Sequence, residues 1–596
     1  MGNNIASRIE HLRNSLQESN VQYLIVPTSD PHLSEYVASH WKSREWISGF
    51  TGSAGTVVFS LSEAGLWTDS RYFLQAEEQL SGSGILLYKE NTGNTPSIYD
   101  WICSRAKEGE CVGIDGSLFS ANEVERMCKR FSEHHLTLKT DIDFIGPLWR
   151  ERPALPDTEL FYLDEDYSGE TLPKKWSRIR TQIQKAKADA LLITALDEVA
   201  WCFNLRASDV EYNPVAIAYA ILTNDSATLF TDCSRITPKA RAKFLENGIE
   251  LRPYDTIYKV LKSWPEKQRI MMDKEKVNYA LTSAICHTES IVSAPSPIAL
   301  MKSIKNETEQ KGIRNAVVKD GVALSYAFRW LERMVEEGHR VTELSFAQKL
   351  HEYRSQQKDF FCESFGTIAG YGQHGAIVHY SATEESNAEI GKEGLLLVDS
   401  GGNYFDGTTD ITRTVVLGDP TPQQKKDYTN VLKGHIALAN AHFPQGTRGA
   451  QLDVLARQFL WDSCEDYGHG TGHGIGHFLC VHEGPQNIRT RDNGTELQAG
   501  MLISDEPGLY KKGQYGIRIE NMVMVQEYAN DDEFGKFLQM ETVTLFPYDT
   551  KLIETSLLTE KERNWINQYH QKVYDKIAPL LDEETRIWLS EKVKTI

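Results

Sequence analysis

Four acidic residues sit within or at the ends of β-rich apolar runs in the last third of this chain, and their placement restricts the possible folds. Asp399 ends the run LLLVD and is followed by SGG. Asp410 lies in DGTTDITRT, just before the alternating ITRTVVL. Glu506 follows MLISD and precedes Pro507-Gly508, and Glu520 interrupts IRIENMVMV. A carboxylate on a buried strand is costly unless it is paired, hydrogen-bonded or bound to a metal. The strands must therefore bring these acids to a compensating charge. His473, in the glycine-rich GHGTGHGIG, supplies one imidazole for the same centre. Four carboxylates balance two divalent cations. Oxygen donors with a single imidazole favour a hard or borderline ion such as Mn²⁺ over a thiolate-type zinc site.

The order of elements around these acids is repetitive. ETEQKGIRNAVVKDGVALSYAFRWLERMVEEG has apolar residues at helical spacing and stops at Gly338. ELSFAQKLHEYRSQQ reads as a second helix, and strands including LLLVD and ITRTVVL follow. Two more helices, QQKKDYTNVLKGHIALANAHF and AQLDVLARQFLWDSCEDYG, precede the strands MLISD and IRIENMVMV. Helix, helix and strand pair thus occur twice, with Asp399 and Asp410 on the first pair and Glu506 and Glu520 on the second. Halves related by a pseudo-twofold would face the two pairs across one cleft.

The N-terminal half alternates strands and helices, and it also repeats. YLIVPTSDPHLSEY and AGLWTDSRY are echoed, in the same order, by ALLITALDEVAW and ATLFTDCSR. The stretch RERPALPDTELFYLDEDYSGETLPKK between them reads as a linker. The expected division is residues 1–155 and 156–302 as two similar α/β domains, 303–556 as the catalytic domain, and 557–596 as a helical C-terminal extension. The extension is expected to be a surface helix or a dimer contact without chemistry.

A chain of 596 residues is too long for one core. Its formal net charge of −19 argues against nucleic acid or an anionic membrane as partner. No apolar run approaches the roughly 18 residues of a membrane span. The opening MGNNIASRIEHLRNSL lacks a signal-peptide core, and Ala6 stands where a myristoylation signal has Ser or Thr. Nine irregularly spaced cysteines without Cys-x-x-Cys read as reduced thiols, so a cytoplasmic location is expected. The glycine run matches neither GxGxxG nor GxxxxGK[ST], and HExxH does not occur. Close backbone approach to a metal cleft is the better reading of those glycines.

The motifs AIVHY, VDSGG, DGTTDITRT, LKGH, HGTGHGIGHFLCVHEGP, SDEPGLY and YGIRIEN, in this order, resemble those of the pita-bread metallopeptidases. The chain is most similar to the long, three-domain cytosolic type of aminopeptidase P. This resemblance implies an α/β and α+β architecture: two creatinase N-terminal-like domains followed by a pita-bread catalytic domain. It implies two Mn²⁺ ions per subunit, with Zn²⁺ or Co²⁺ as substitutes. Asp410, His473, Glu506 and Glu520 would hold one ion, and Asp399, Asp410 and Glu520 the other. It further implies release of the N-terminal residue from peptides with proline second, and a homodimer. His379 and His482 match histidines that act on the scissile carbonyl and leaving amine, while His469 and Tyr510 match residues of the substrate pocket.

Glu506, as a ligand carboxylate beside water, suits general acid/base work. Arg518 lies two residues before Glu520, on the same face of a strand, where it can orient a ligand carboxylate or bind substrate. His477 is read as structural. Prolidase, acting on Xaa-Pro dipeptides, is the alternative with the same metals. A non-catalytic pita-bread binding module is the alternative from another class, and such modules lose the ligands that are all present here.

Overall fold

The computed structural model describes residues 2–596, with side chains from Asn4 onward. It contains two compact units. One comprises the residues up to Leu163 together with Glu170–Ile298; the other comprises Asp164–Gly169 together with Ala299–Ile596.

The first unit contains two six-stranded sheets with the same strand order. In space the first runs Leu86–Lys89, Ala64–Thr68, Thr56–Ser60, Tyr23–Pro27, Cys111–Gly113, Thr137–Lys139. The second runs Ile249–Arg252, Ala227–Phe230, Tyr219–Thr223, Ala190–Ile193, Ile270–Met272, Ile291–Ser293. In each, the third strand in space pairs antiparallel with both of its neighbours and the remaining pairings are parallel. The sequence echo is therefore a duplicated module. Its central runs YLIV and ALLI are buried throughout, as strands covered on both faces must be.

In the second unit, a 30-residue helix, Glu307–Glu336, opens with a capping box between Asn306 and Glu309. It closes on Gly338 at φ 78°, the left-handed position a helix stop favours. Ile313, Val317, Leu324, Phe328 and Leu331 form its buried stripe. The helix Glu343–Ser355 follows with its own capping box. Strands Ile368–Tyr371, Gly394–Ser400 and Ile411–Leu417 make one antiparallel sheet. The other large sheet runs His442–Pro444, Gly535–Thr542, Asn521–Asp531, Leu502–Asp505, Gly472–Gly474, Glu483–Ile488. Gly508–Lys511 and Tyr515–Arg518 form a hairpin between its strands.

Two expectations are corrected. The helix expected to run through Phe443 is Pro422–Ala439, because His442–Pro444 pairs instead with Gly535–Thr542. The tail expected as a surface helix or dimer contact carries a core face. Helix Glu560–Ile577 buries Ile566, Tyr569, His570, Val573 and Ile577, and the Tyr569 hydroxyl accepts from buried Arg413 at 3.0 Å. Among the described residues, no helix is long and apolar enough to cross a membrane.

Candidate metal centre and active site

The expected acids come together because two sheets meet at their ends. Asp399, on Gly394–Ser400, pairs with Thr412 on Ile411–Leu417. Asp410 stands immediately before that second strand. The Thr412 hydroxyl donates to Glu520 Oε2 at 2.7 Å, and the Glu520 N–H donates to the Thr412 carbonyl at 3.1 Å. Thr412 thus connects the aspartate pair to the far sheet. Glu506 follows Leu502–Asp505 and donates its N–H to the Thr471 carbonyl at 2.8 Å, which brings it beside His473.

His473 Nδ1 lies 2.9 Å from the Gly474 carbonyl. A carbonyl can only accept, so Nδ1 holds the proton and Nε2 presents its lone pair to the acids. Nε2 is 3.5 Å from Asp410 Oδ2 and 3.6 Å from Glu506 Oε1. Ligand atoms of Asp410, His473 and Glu520 all lie within 4.8 Å of one another.

The electrostatics call for cations. Burial first, then the charges of Asp399 and Glu506, hold the Asp410 carboxyl well above the usual carboxylate range. Burial, then Asp410, Asp399 and Glu506, does the same to Glu520. Burial pushes Glu506 up to about 7, against the lowering influence of Arg518. Asp399 Oδ1 is buried without a hydrogen-bond partner. Divalent charge would reverse the burial and repulsion that disfavour these anions and occupy that oxygen, so the donor set fits two hard cations.

Arg518 is almost fully buried. Its Nη2 donates to Asp399 Oδ2 at 2.6 Å and to the Val378 carbonyl at 3.3 Å; its Nε donates to Thr412 Oγ1 at 3.2 Å. Its Nη1 donates to the Tyr510 hydroxyl at 2.7 Å. These bonds hold Asp399 in a fixed orientation. Tyr510 lies 2.8 Å from His469 Nε2, and His469 Nδ1 lies 2.7 Å from the Gly470 carbonyl. His469 Nδ1 therefore carries the proton, and its Nε2 accepts from Tyr510. His482 meets the His473 ring edge-on at 4.4 Å between centroids. His379 is half-buried on the turn after Gly372–Ala376, next to the Val378 carbonyl that Arg518 holds. His477 is buried.

Several supports are invisible to motif reading. Glu343 is fully buried, and its Oε1 accepts from the Tyr371 N–H and from His374 Nδ1, each at 2.8 Å. Its Oε2 accepts from the Tyr380 hydroxyl at 2.8 Å and the Ala388 N–H at 2.9 Å. One carboxylate thereby grips both ends of the segment bearing His379. His435, in LKGH, lies 3.2 Å from Asp505, the neighbour of Glu506. Only the LKGH motif hinted at the latter pair.

Comparison with known proteins agrees with this centre. The Creatinase/Prolidase N-terminal domain matches residues 8–142 and again 151–309. Metallopeptidase family M24 matches residues 311–527, and the C-terminal region of that peptidase residues 536–596. A probable Xaa-Pro aminopeptidase P of Coprinopsis cinerea is 42% identical, covering 99% of this chain and 98% of that one. The chain belongs to metallopeptidase family M24. The Xaa-Pro aminopeptidase 1 of Dictyostelium discoideum is 38% identical over 99% of this chain and 97% of its own. The crystal structure of the X-prolyl aminopeptidase from Caenorhabditis elegans, described as a cytosolic enzyme with a di-nuclear active site, superposes with TM-score 0.96. It is 35% identical and covers 99% of this chain and 100% of that one. An Xaa-Pro dipeptidase from Bacillus anthracis shares only the fold, with TM-score 0.50 over 64% of this chain.

Proposed function

We propose that this protein is a dinuclear-metal Xaa-Pro aminopeptidase that removes the N-terminal residue from peptides with proline in the second position. The observation that carries this reading is the gathering of Asp410, Glu506 and Glu520 around Nε2 of His473, with Asp399 in the same electrostatic cluster. Full-length similarity to Xaa-Pro aminopeptidases favours it over prolidase. Asp410, His473, Glu506 and Glu520 would hold one ion; Asp399, Asp410 and Glu520 would hold the second. Manganese suits a donor set of oxygens with one imidazole. When bound, the ions supply Lewis acidity to the scissile carbonyl and acidify water.

The chain's own residues do the rest. Glu506, beside His473 in the centre, is placed to take a proton from water and return it to the departing proline nitrogen. His379 and His482 donate to the carbonyl oxygen as negative charge grows on it. Arg518 orients Asp399, and Tyr510 with His469 forms the adjoining wall of the substrate pocket. The protein works as a cytoplasmic homodimer.

The test is hydrolysis of Arg-Pro-Pro, Arg-Ala-Ala and Ala-Pro by the Mn²⁺-loaded protein, with a chelator control. Release of arginine from the first peptide alone, lost on chelation, is the expected outcome. Cleavage of Ala-Pro alone would make the protein a prolidase, and cleavage of Arg-Ala-Ala would overturn the proline preference. A light-scattering mass near 67.5 kDa would overturn the dimer.

A further inference from the structure

Beside the metal centre lies a buried charge cluster that the reaction does not use. Glu483, directly after His482, is 4% exposed; Lys302 and Lys305 are 3% and 2% exposed. Lys302 Nζ lies 2.8 Å from Glu483 Oε2, and Lys305 Nζ donates to Oε1 at 3.0 Å. One lysine on one oxygen would leave the carboxylate free to turn about its Cγ–Cδ bond. Lys305 hydrogen-bonds one oxygen and Lys302 stands at ion-pair distance from the other, so charge holds both. As a device for stability alone this is a poor one, since buried ion pairs roughly break even against apolar side chains, and here two cations face one anion.

The lysines are themselves held rigidly. Lys305 Nζ also donates to the Lys302 carbonyl at 3.0 Å, and the Lys305 N–H donates to the Gly500 carbonyl at 2.9 Å. Ile304 bridges to Met501, close to the strand that leads to Glu506. On the other side, Glu483 opens the strand Glu483–Ile488 opposite Gly474, the neighbour of His473. A Cβ at Gly474 would lie 2.1 Å from the Glu483 carbonyl oxygen, so the two backbones are in direct contact. The residue between this anchor and buried Val481 is His482, whose ring abuts that of His473.

We infer that Glu483, clamped by Lys302 and Lys305, is a positioning residue that sets the ring of His482 against the metal-facing histidine. The inference rests on the role given to His482 above, and a double-mutant cycle separates the two. Glu483→Asp keeps the charge but shortens the tether by one methylene. The expected result is a loss of about ten-fold or more in kcat on Arg-Pro-Pro, the scale seen when a group supporting a site residue is altered, with KM, bound metal and melting temperature near those of the parent. In a His482→Ala background the same change should cost nothing further. Losses that multiply, or an E483D protein as active as the parent, would overturn the positioning role. Lys302→Met, which leaves a neutral Lys305–Glu483 pair, should give a smaller kcat loss that also vanishes with His482→Ala; it serves if E483D does not fold. Full activity of H482A would overturn the reading of His482 itself. A crystal structure of E483D tests the anchoring without reference to activity: a His482 ring unmoved from its edge-on contact would overturn it.

Discussion

Buried acid is handled differently in the two units of this molecule. In the duplicated α/β modules, Asp209 is fully used: Arg235 donates to both of its oxygens, at 2.6 and 3.0 Å. The Thr158 hydroxyl and the Ile217 N–H complete its shell at 2.6 and 2.8 Å. One acid meets one base, and every oxygen has a donor. In the catalytic unit, Asp399, Asp410, Glu506 and Glu520 crowd together, Arg518 hydrogen-bonds only Asp399 among them, and His473 offers a lone pair in place of a proton. The first unit is built from two modules of one strand order, so repetition by itself does not mark function. A local surplus of negative charge that the protein does not neutralise does mark it, because only a ligand can complete it.

The strongest way to break this contrast is Asp410→Ala, which removes the carboxylate that would be shared between the two ions. The variant should lose about three orders of magnitude in kcat, equivalent to several kcal/mol of charge stabilisation, together with bound metal measured by elemental analysis. Retained metal and activity would mean that the acids are merely structural.

Metal removal should next expose the surplus as a pH-dependent instability. Burial raises the folded Glu506 carboxyl from 4.5 to about 7. The folded state then binds a proton more tightly than the unfolded state. Its stability is greatest below about 4.5 with respect to this group and falls as pH rises towards about 7. The melting temperature of chelated protein should therefore decline across that window from this contribution, and Glu506→Gln should flatten the decline. Saturating metal should raise stability by about 4 kcal/mol at a thousand times Kd. A pH profile identical in chelated parent and E506Q would contradict the assigned environment.

Arg518→Lys sharpens the comparison, since an ammonium cannot reproduce the guanidinium's simultaneous bonds to Asp399, Tyr510 and Thr412. Metal affinity should weaken by about 10–100-fold, the usual cost of losing an outer-shell partner, as read by metal titration. The smallest effect on catalysis belongs to Asp209→Asn. It should destabilise the first unit by about 3 kcal/mol or more in chemical denaturation, because Arg235 loses its counter-charge in a buried site, while kcat per folded molecule stays unchanged.

Much of this contrast could be read along the chain. The five candidate ligands were visible because acids are improbable inside apolar strands, and the module repeat because YLIVPTSD and ALLITALD share a pattern. Helix Glu307–Glu336 announced itself through apolar residues at helical spacing and the stop at Gly338. Less legible were Thr412, which joins the aspartates to Glu520 across 108 positions, and Lys305, which reaches Glu483 across 178. Glu343 looked like an ordinary first-turn acid of a helix, and only the fold shows four donors arriving at it. The misplaced helix end near Ala439 has the same origin: local propensity continued to favour a helix, while pairing with a distant strand captured His442–Pro444.

The sequence by itself determined which residues carry the chemistry, because the cost of burying a carboxylate is a property of the residue and its immediate neighbours. Tertiary structure decided how each is aimed. That Arg518 turns to Asp399 and that Lys305 pins Glu483 beside His482 depend on hydrogen bonds between segments far apart in the chain. Such bonds act over about 3 Å and leave no periodic trace in the order of residues, so they become visible only when the sheets have met.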